Sequence, residues 1–153
     1  MEIRLAALGD IEPIRRLNEE FWRYNAGLQP EYYKAATESG EYPKSVITNE
    51  SSDIFLAAEG GAIVGLIHVR EERTPPYAPI VPHRYAEIVD LIVSAPYRRA
   101  GIGSALMDAA KEWGRRRGLR YMELFVLSDA AGAFSFYQRY GFDTVSHTMR
   151  YAL

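Results

Sequence analysis

The 153-residue chain balances 18 Lys+Arg against 20 Asp+Glu, a formal charge of -2, so no long-range field draws it to nucleic acid or an anionic membrane. It has no cysteine, which excludes a disulfide scaffold, a thiolate metal site and a cysteine nucleophile. Its 48% hydrophobic content suits one globular domain over residues 1–153, and the lack of a basic-apolar leader or a bilayer-length apolar run predicts a soluble, cytoplasmic protein.

In chain order, Glu2 to Ala6 alternates like a short strand, and Asp10 then offers an N-cap to a helix with Ile14, Leu17 and Phe21 on one face. A second, more polar helix is expected from Gln29 to Ser39, with loop from Gly40 to Ser52. Ile54 to Ala58 and Ala62 to Val69 flank Glu59-Gly60-Gly61, a pattern that predicts an antiparallel hairpin. The prolines between Thr74 and Pro82 lack donors and predict a stiff loop.

Tyr85 to Val93 reads as a long strand, after which Ile102, Leu106, Ala109 and Trp113 repeat at helical spacing until Gly118. Tyr121 to Leu127 is expected to be a strand, and Asp129 to cap a helix bearing Ala133, Tyr137 and Tyr140 that ends at Gly141. Phe142 to Ala152 predicts a last strand or hairpin. The order β-α-α-β-β-β-α-β-α-β implies an α/β fold with a mixed sheet and helices on its faces.

The sharpest local signal is Arg98-Arg99-Ala100-Gly101-Ile102-Gly103-Ser104, which follows a strand and opens a helix. Glycines at this spacing let backbone N–H groups approach an anion where the helix dipole also favours negative charge, and Arg98, Arg99 and Ser104 add donors. The P-loop requires Gly-Lys-Ser/Thr, and the dinucleotide fingerprint requires a third glycine where this chain has Leu106. The pattern thus suits a pyrophosphate that belongs to neither ATP nor NAD, with a glycine turn that only closes the strand-to-helix connection as the alternative reading.

Leu91 to Gly103 resembles the acyl-CoA motif of the GNAT superfamily of N-acetyltransferases, and Ala133-Phe134-Ser135-Phe136-Tyr137-Gln138-Arg139-Tyr140-Gly141-Phe142 resembles that family's later Ala-x-x-Phe-Tyr-x-x-x-Gly-Phe signature. The resemblance implies a mostly antiparallel sheet with helices on both faces, acetyl-CoA as acyl donor, and direct attack of a neutral amine from a small molecule or peptide. It further implies that Leu91, Ile92 and Val93 lie beside the pantetheine arm and that Arg98 to Ser104 hold the pyrophosphate. Tyr137 stands where the family often keeps the acid that protonates the thiolate. Glu87 is the first candidate for the base, with Asp90 as rival and a water chain as a third route. Ala130 stands where many family members carry an asparagine, leaving Ser128 or Asp129 for a polar contact to the cofactor arm.

Tyr32, Tyr33 and Tyr77 fall in segments that the family uses for substrate and are the candidate pocket members. Glu19, Glu20, Glu31, Glu38 and Glu41 favour a cationic substrate or form solvated helix faces. Arg115 to Arg117 with Arg120 read as cations at a helix C-terminus. His68, His83 and His147 show no ligand spacing, so no metal is assigned. A homodimer through the closing strands is open, as are a longer acyl group and a non-catalytic CoA-binding sensor or partner-binding module on the same fold.

Overall fold

The computed structural model describes residues 1–153. Strand β1 (Glu2–Leu5) leads through a short turn into helix α1 (Ile11–Leu28), and helix α2 (Glu41–Ile47) precedes strands β2 (Ser52–Glu59), β3 (Ala62–Arg73) and β4 (Arg84–Val93). Helix α3 (Ile102–Arg116), strand β5 (Met122–Leu124) and helix α4 (Ala131–Tyr140) complete the order. The five strands form one sheet in the order β1-β2-β3-β4-β5, antiparallel except for the parallel β4–β5 pair.

Alternation along β2, β3 and β4 sorts side chains between two apolar layers. Phe55, Ala57, Ile67, Val69, Ala86 and Ile88 face α3, meeting Ile102, Leu106, Met107, Ala110 and Trp113, with Phe136 and Tyr137 of α4 packed on the rim. Ile54, Leu56, Leu66 and Ile92 face the other way, against Ile14 and Leu17 of α1 and Val46 of α2. The β2–β3 hairpin turns at Gly60 and Gly61, with φ of 57° and 85°, the paired positive values that a two-residue turn matched to strand twist requires.

Four expectations need correction. Residues 29–39 are not helical: Pro30 disfavours helical backbone at Gln29, and the segment is drawn across α1 by bonds from Arg15 Nε to the Glu38 carbonyl and from the Glu38 N–H to Glu19 Oε1. The helix lies instead in the expected loop, beginning after Gly40 at φ 90° and holding buried Pro43 in its first turn. No strand forms over 142–153, which pair with no strand of the sheet. Asp10 does precede α1, but its carboxylate binds Arg4 at 2.8 and 2.9 Å and accepts the Ala7 N–H, leaving the helix without a side-chain cap.

A bulge in β4 has the largest effect on the site. His68 pairs with Asp90 and Val69 with Ile88, so Val89 has no opposite number. Strict alternation would put Glu87 and Asp90 on opposite faces; the extra residue puts both on the α1 side, together with His68 and Arg70. Beyond the bulge β4 also leaves β5: their pairing stops at Ile88–Leu124, and Val89 to Val93 continue with that edge unpaired.

Candidate active site

The passage from β4 to α3 makes a seat of backbone donors. The first backbone bond of α3 runs from the Ala105 N–H to the Gly101 carbonyl, and the N–H groups from Arg99 through Ser104 have no partner in the chain. Gly101 has φ 81° with no atom near the place a side chain would occupy, and Arg99 has φ 64°, uncommon outside glycine. Gly103 keeps the first turn close to α4, since a Cβ there would lie 3.4 Å from the Phe136 ring. Macrodipole and unpaired donors together favour a polyanion at this end.

The arginines differ from expectation in detail. The Arg98 Nε donates to the Val93 carbonyl at 2.9 Å, and its guanidinium lies 5.6 Å from the Tyr24 ring and 3.8 Å from Glu20, so Arg98 braces the loop against α1. Glu20 reinforces that brace by accepting from Ser94 Oγ at 3.0 Å and from the Ala95 N–H at 2.9 Å. Arg99 is exposed beside the free amides. Leu91 to Val93 lie on the stretch of β4 whose β5-side edge is unpaired and which leads to this seat.

On the α1 side of the sheet lies a cleft of about 430 Å³ lined by Asn18, Trp22, Thr37, Glu38, Ser39, Tyr42 and Asp90. Asp90 accepts no hydrogen bond from the chain, and burial pushes its carboxyl up to about 6, with Glu87 adding to the rise and Arg70 opposing it. Glu87, by contrast, is held by Arg70 at 2.8 Å from Nε and 2.5 Å from Nη2. Of the two candidate bases, the structure leaves Asp90 free and Glu87 engaged.

Behind the cleft, the Tyr42 hydroxyl meets His68 Nδ1 at 2.5 Å. Burial, with the charge of Arg70, pushes His68 down to about 4, so its ring is neutral; burial, with the charge of Asp90, holds the Tyr42 hydroxyl well above the ordinary phenol range. His68 Nε2 and Asn18 Nδ2 are buried without partners. Glu38 is 3% exposed, and its Oε1 accepts the Gly40 N–H while no cation pairs with it. The unpaired carboxylates of Glu38 and Asp90 at this cleft suit a cationic group, while the Asn18 Nδ2 donor calls for an acceptor on the same ligand.

Tyr137 approaches from α4, on the opposite face of the sheet. Burial, then the charge of Asp90, pushes its hydroxyl up to about 12, and that hydroxyl has no partner in the chain. Phe136 and Phe142 pack edge-on against its ring at 5.4 and 5.8 Å.

Tyr32, Tyr33 and Tyr77 do not line the cleft; they are exposed, and Arg150 lies 4.0 Å over the Tyr32 ring. Trp22 and Tyr42 are the aromatics that do. The residues that sequence reasoning missed, Asn18 and His68, had a readable signal: each is a polar residue in an apolar pattern, Asn18 within the Ile14, Leu17, Phe21 stripe and His68 between Ile67 and Val69. Ser128 makes no contact that assigns it a role, and Asp129 takes a bond from Gln29 at 3.3 Å. Arg117 at the end of α3 stacks 4.2 Å over Trp113 and pairs with Glu71.

The family model of the acetyltransferase (GNAT) family matches residues 12–142. The chain belongs to the GNAT acetyltransferase family. Among its GNAT relatives, an uncharacterized N-acetyltransferase of Methanocaldococcus jannaschii is 30% identical over 82% of the chain and 54% of the relative, so the chain spans about half of that protein. The spermidine N(1)-acetyltransferase of Thermoplasma acidophilum is 26% identical over 93% of the chain and 88% of the relative. The GNAT fold is seen again in a tetramutant of the BH1408 protein from Bacillus halodurans, at TM-score 0.94 and 21% identity over 100% of both chains. An aminoglycoside N-acetyltransferase, AAC(6')-Iy, solved in complex with CoA, superposes at TM-score 0.76 with 16% identity over 99% of this chain and 98% of that one. No helix of this GNAT chain is long and apolar enough to cross a membrane.

Proposed function

We propose that this chain transfers the acetyl group of acetyl-CoA to a primary amine that is cationic in solution and enters through the cleft beside Asp90. The observation that carries the reading is the parting of β4 and β5 after Ile88–Leu124, which joins the free amides of Arg99 to Ser104 at one end to Asp90 and Tyr137 at the other. The unpaired β4 edge from Val89 to Val93 offers its backbone groups to the amide-bearing pantetheine arm, and the α3 N-terminus offers its donors to the pyrophosphate. Acetyl-CoA supplies the thioester; everything else in the reaction falls to protein groups.

Glu38 and Asp90 attract the ammonium form of the acceptor, and Trp22 and Tyr42 flank its carbon skeleton. Asp90, ionised above about pH 6, takes one proton from the ammonium and leaves the neutral amine that attacks. After attack the nitrogen loses its second proton to water, and Tyr137 gives its proton to the departing sulfur, which becomes the thiol, and regains one from solvent. The products are an amide and free CoA, and charge and protons balance with release of one proton. The names of relatives support the acceptor class, since both spermidine and aminoglycosides carry several ammonium groups, and this cleft carries carboxylates without cationic partners.

The test is isothermal titration of the protein with acetyl-CoA, followed by thiol release over a panel of polyamines, aminoglycosides, amino acids and peptides. Binding with thiol release on a cationic member supports the reading. Binding without release on any amine would favour a CoA-binding module, and absence of binding would remove the donor assignment altogether.

A further inference from the structure

Asn18 is unfavourable to the free chain in two ways. It lies in the interior of α1, next to Leu17 and one turn after Ile14, both of which enter the apolar layer, and it is 3% exposed. Asparagine is a poor helix former, and its Nδ2 donor is buried with no partner, not even the Ile14 carbonyl one turn back. A leucine would suit both the helix and the layer, so the folding of α1 does not account for the amide. Asn18 does, however, line the cleft beside Asp90.

The other polar groups of that cleft are already served or call for a cation. The Tyr42 hydroxyl is engaged by His68 Nδ1, and Thr37 and Ser39 are exposed to water. Glu38 and Asp90 present carboxylates without a cationic partner. Asn18 Nδ2 is the donor left over, and its complement on a ligand is a hydrogen-bond acceptor. A carboxylate is a poor choice for that acceptor, because Glu38 and Asp90 border the same space and like charges repel. An uncharged oxygen meets the donor without that penalty. At about 430 Å³ the cleft takes a small molecule, so oxygen and ammonium belong to one ligand and lie a few bonds apart.

We infer that the acetyl acceptor is an amine that also bears an uncharged oxygen, as a hydroxyl, ether or carbonyl, and that Asn18 selects it. The inference rests on the acetyl-transfer reading above and narrows its amine class. Glu38 and Asp90 receive ammonium groups, which any polyamine supplies; the Asn18 amide receives an oxygen, which an unsubstituted polyamine lacks. Such a polyamine fills the cleft and leaves the buried donor unmet, and the chain discriminates on that ground.

Two diamines of equal length test this: bis(2-aminoethyl) ether and pentane-1,5-diamine, which differ by one oxygen in place of one methylene. In thiol-release assays the ratio of kcat/KM for the ether over the alkane is expected to be about 10- to 100-fold larger in the parent than in Asn18→Leu. Comparing the ratio between the two proteins cancels the differing basicity of the probes. Asn18→Leu should melt no lower than the parent, since it removes a buried donor without a partner. At pH 7 both probes are dications, and titrating each into the unsubstituted protein, with free CoA present, reads the preference without turnover or a variant. The ether is expected to bind at least about 10-fold more tightly. Equal affinities in that titration overturn the inference, as does binding of neither probe or a kcat/KM ratio that Asn18→Leu leaves unchanged. An amide that met the ammonium through its own oxygen would treat the probes alike and overturns it in the same way. Preference for the ether in titration, with no thiol release on any amine, would overturn acetyl transfer and leave the selectivity of the cleft standing, so the two readings fail separately.

Discussion

The proposed donor seat at the start of α3 and the proposed acceptor cleft beside Asp90 are built in opposite ways. The seat is local: one strand end, one turn and the first turn of α3, all within Val93 to Ser104, with backbone groups as the working atoms. The cleft is assembled from α1, the irregular segment before α2, α2 itself and β4, with side chains as the working atoms. A backbone site depends on a conformation that many side chains tolerate and a few forbid, whereas a side-chain site depends on individual groups whose environment sets their protonation. The two should therefore fail in different ways.

The largest failure is expected at the seat. Gly101→Glu with Gly103→Glu places carboxylates among the donors, with strain at φ 81° and contact with Phe136, and acetyl-CoA affinity should fall at least ~100-fold in titration calorimetry while circular dichroism stays near wild type. Next comes Asp90→Asn, expected to lower kcat/KM about 100- to 1,000-fold with acetyl-CoA affinity within a factor of about 2. In the unsubstituted protein kcat/KM should rise with pH through about 6 as Asp90 ionises, and that limb should vanish in the variant. Tyr137→Phe should lower kcat roughly 10- to 100-fold without weakening acetyl-CoA binding; undiminished turnover would remove it as the acid. Glu87→Gln should cost less than about tenfold in turnover, since its carboxylate is committed to Arg70. An effect as large as that of Asp90→Asn would restore Glu87 as the base.

The smallest expected effect sharpens the comparison through stability. Asp90 binds its proton more tightly folded than unfolded, so the stability it confers is full at low pH and is lost as pH rises to about 6. His68 does the reverse: its folded value near 4 lies below the unfolded one, so its contribution is present at neutral pH and lost as pH falls toward 4. Between about pH 4 and 6 the two slopes oppose each other. Asp90→Asn should thus raise stability at pH 7.5 by ~2 kcal/mol and should make the melting temperature fall more steeply from pH 6.5 to 4 than in the parent. A variant less stable than the parent at pH 7.5 would show that the Asp90 carboxylate is not held at a disadvantage.

Legibility followed the same division. The hairpin at Gly60-Gly61, the β4–α3 turn and the two apolar layers could be read because a glycine position or a period of two or 3.6 determines them locally. The helix at 41–47 could not, since a polar seven-residue segment is settled by buried Pro43 and Val46 docking on β2 and by Arg15 and Glu19 holding Glu38. Asp90 was in view only as rival to Glu87, because strand alternation carries no mark of a bulge, and because the Arg70 that occupies Glu87 lies in another strand. Tyr32 and Tyr33 were candidates because they fall in a segment that the family uses for substrate, and both are exposed outside the cleft.

The unpaired Val89 has a consequence for how this site can change. Parity along β4 is counted from that residue. Removing Val89 would leave Glu87, Asp90 and Ile92 on the faces they now occupy and take away only the bend, so β4 would be free to stay alongside β5. Inserting one residue instead would keep Asp90 on the cleft side if alternation became strict, and would send it beneath α3, with Leu91 brought round to the cleft, if a one-residue bulge persisted. The face that Asp90 takes is thus fixed jointly by the length of β4 and by whether the bulge is kept, and a change of length here would reach the cleft without replacing any residue that lines it.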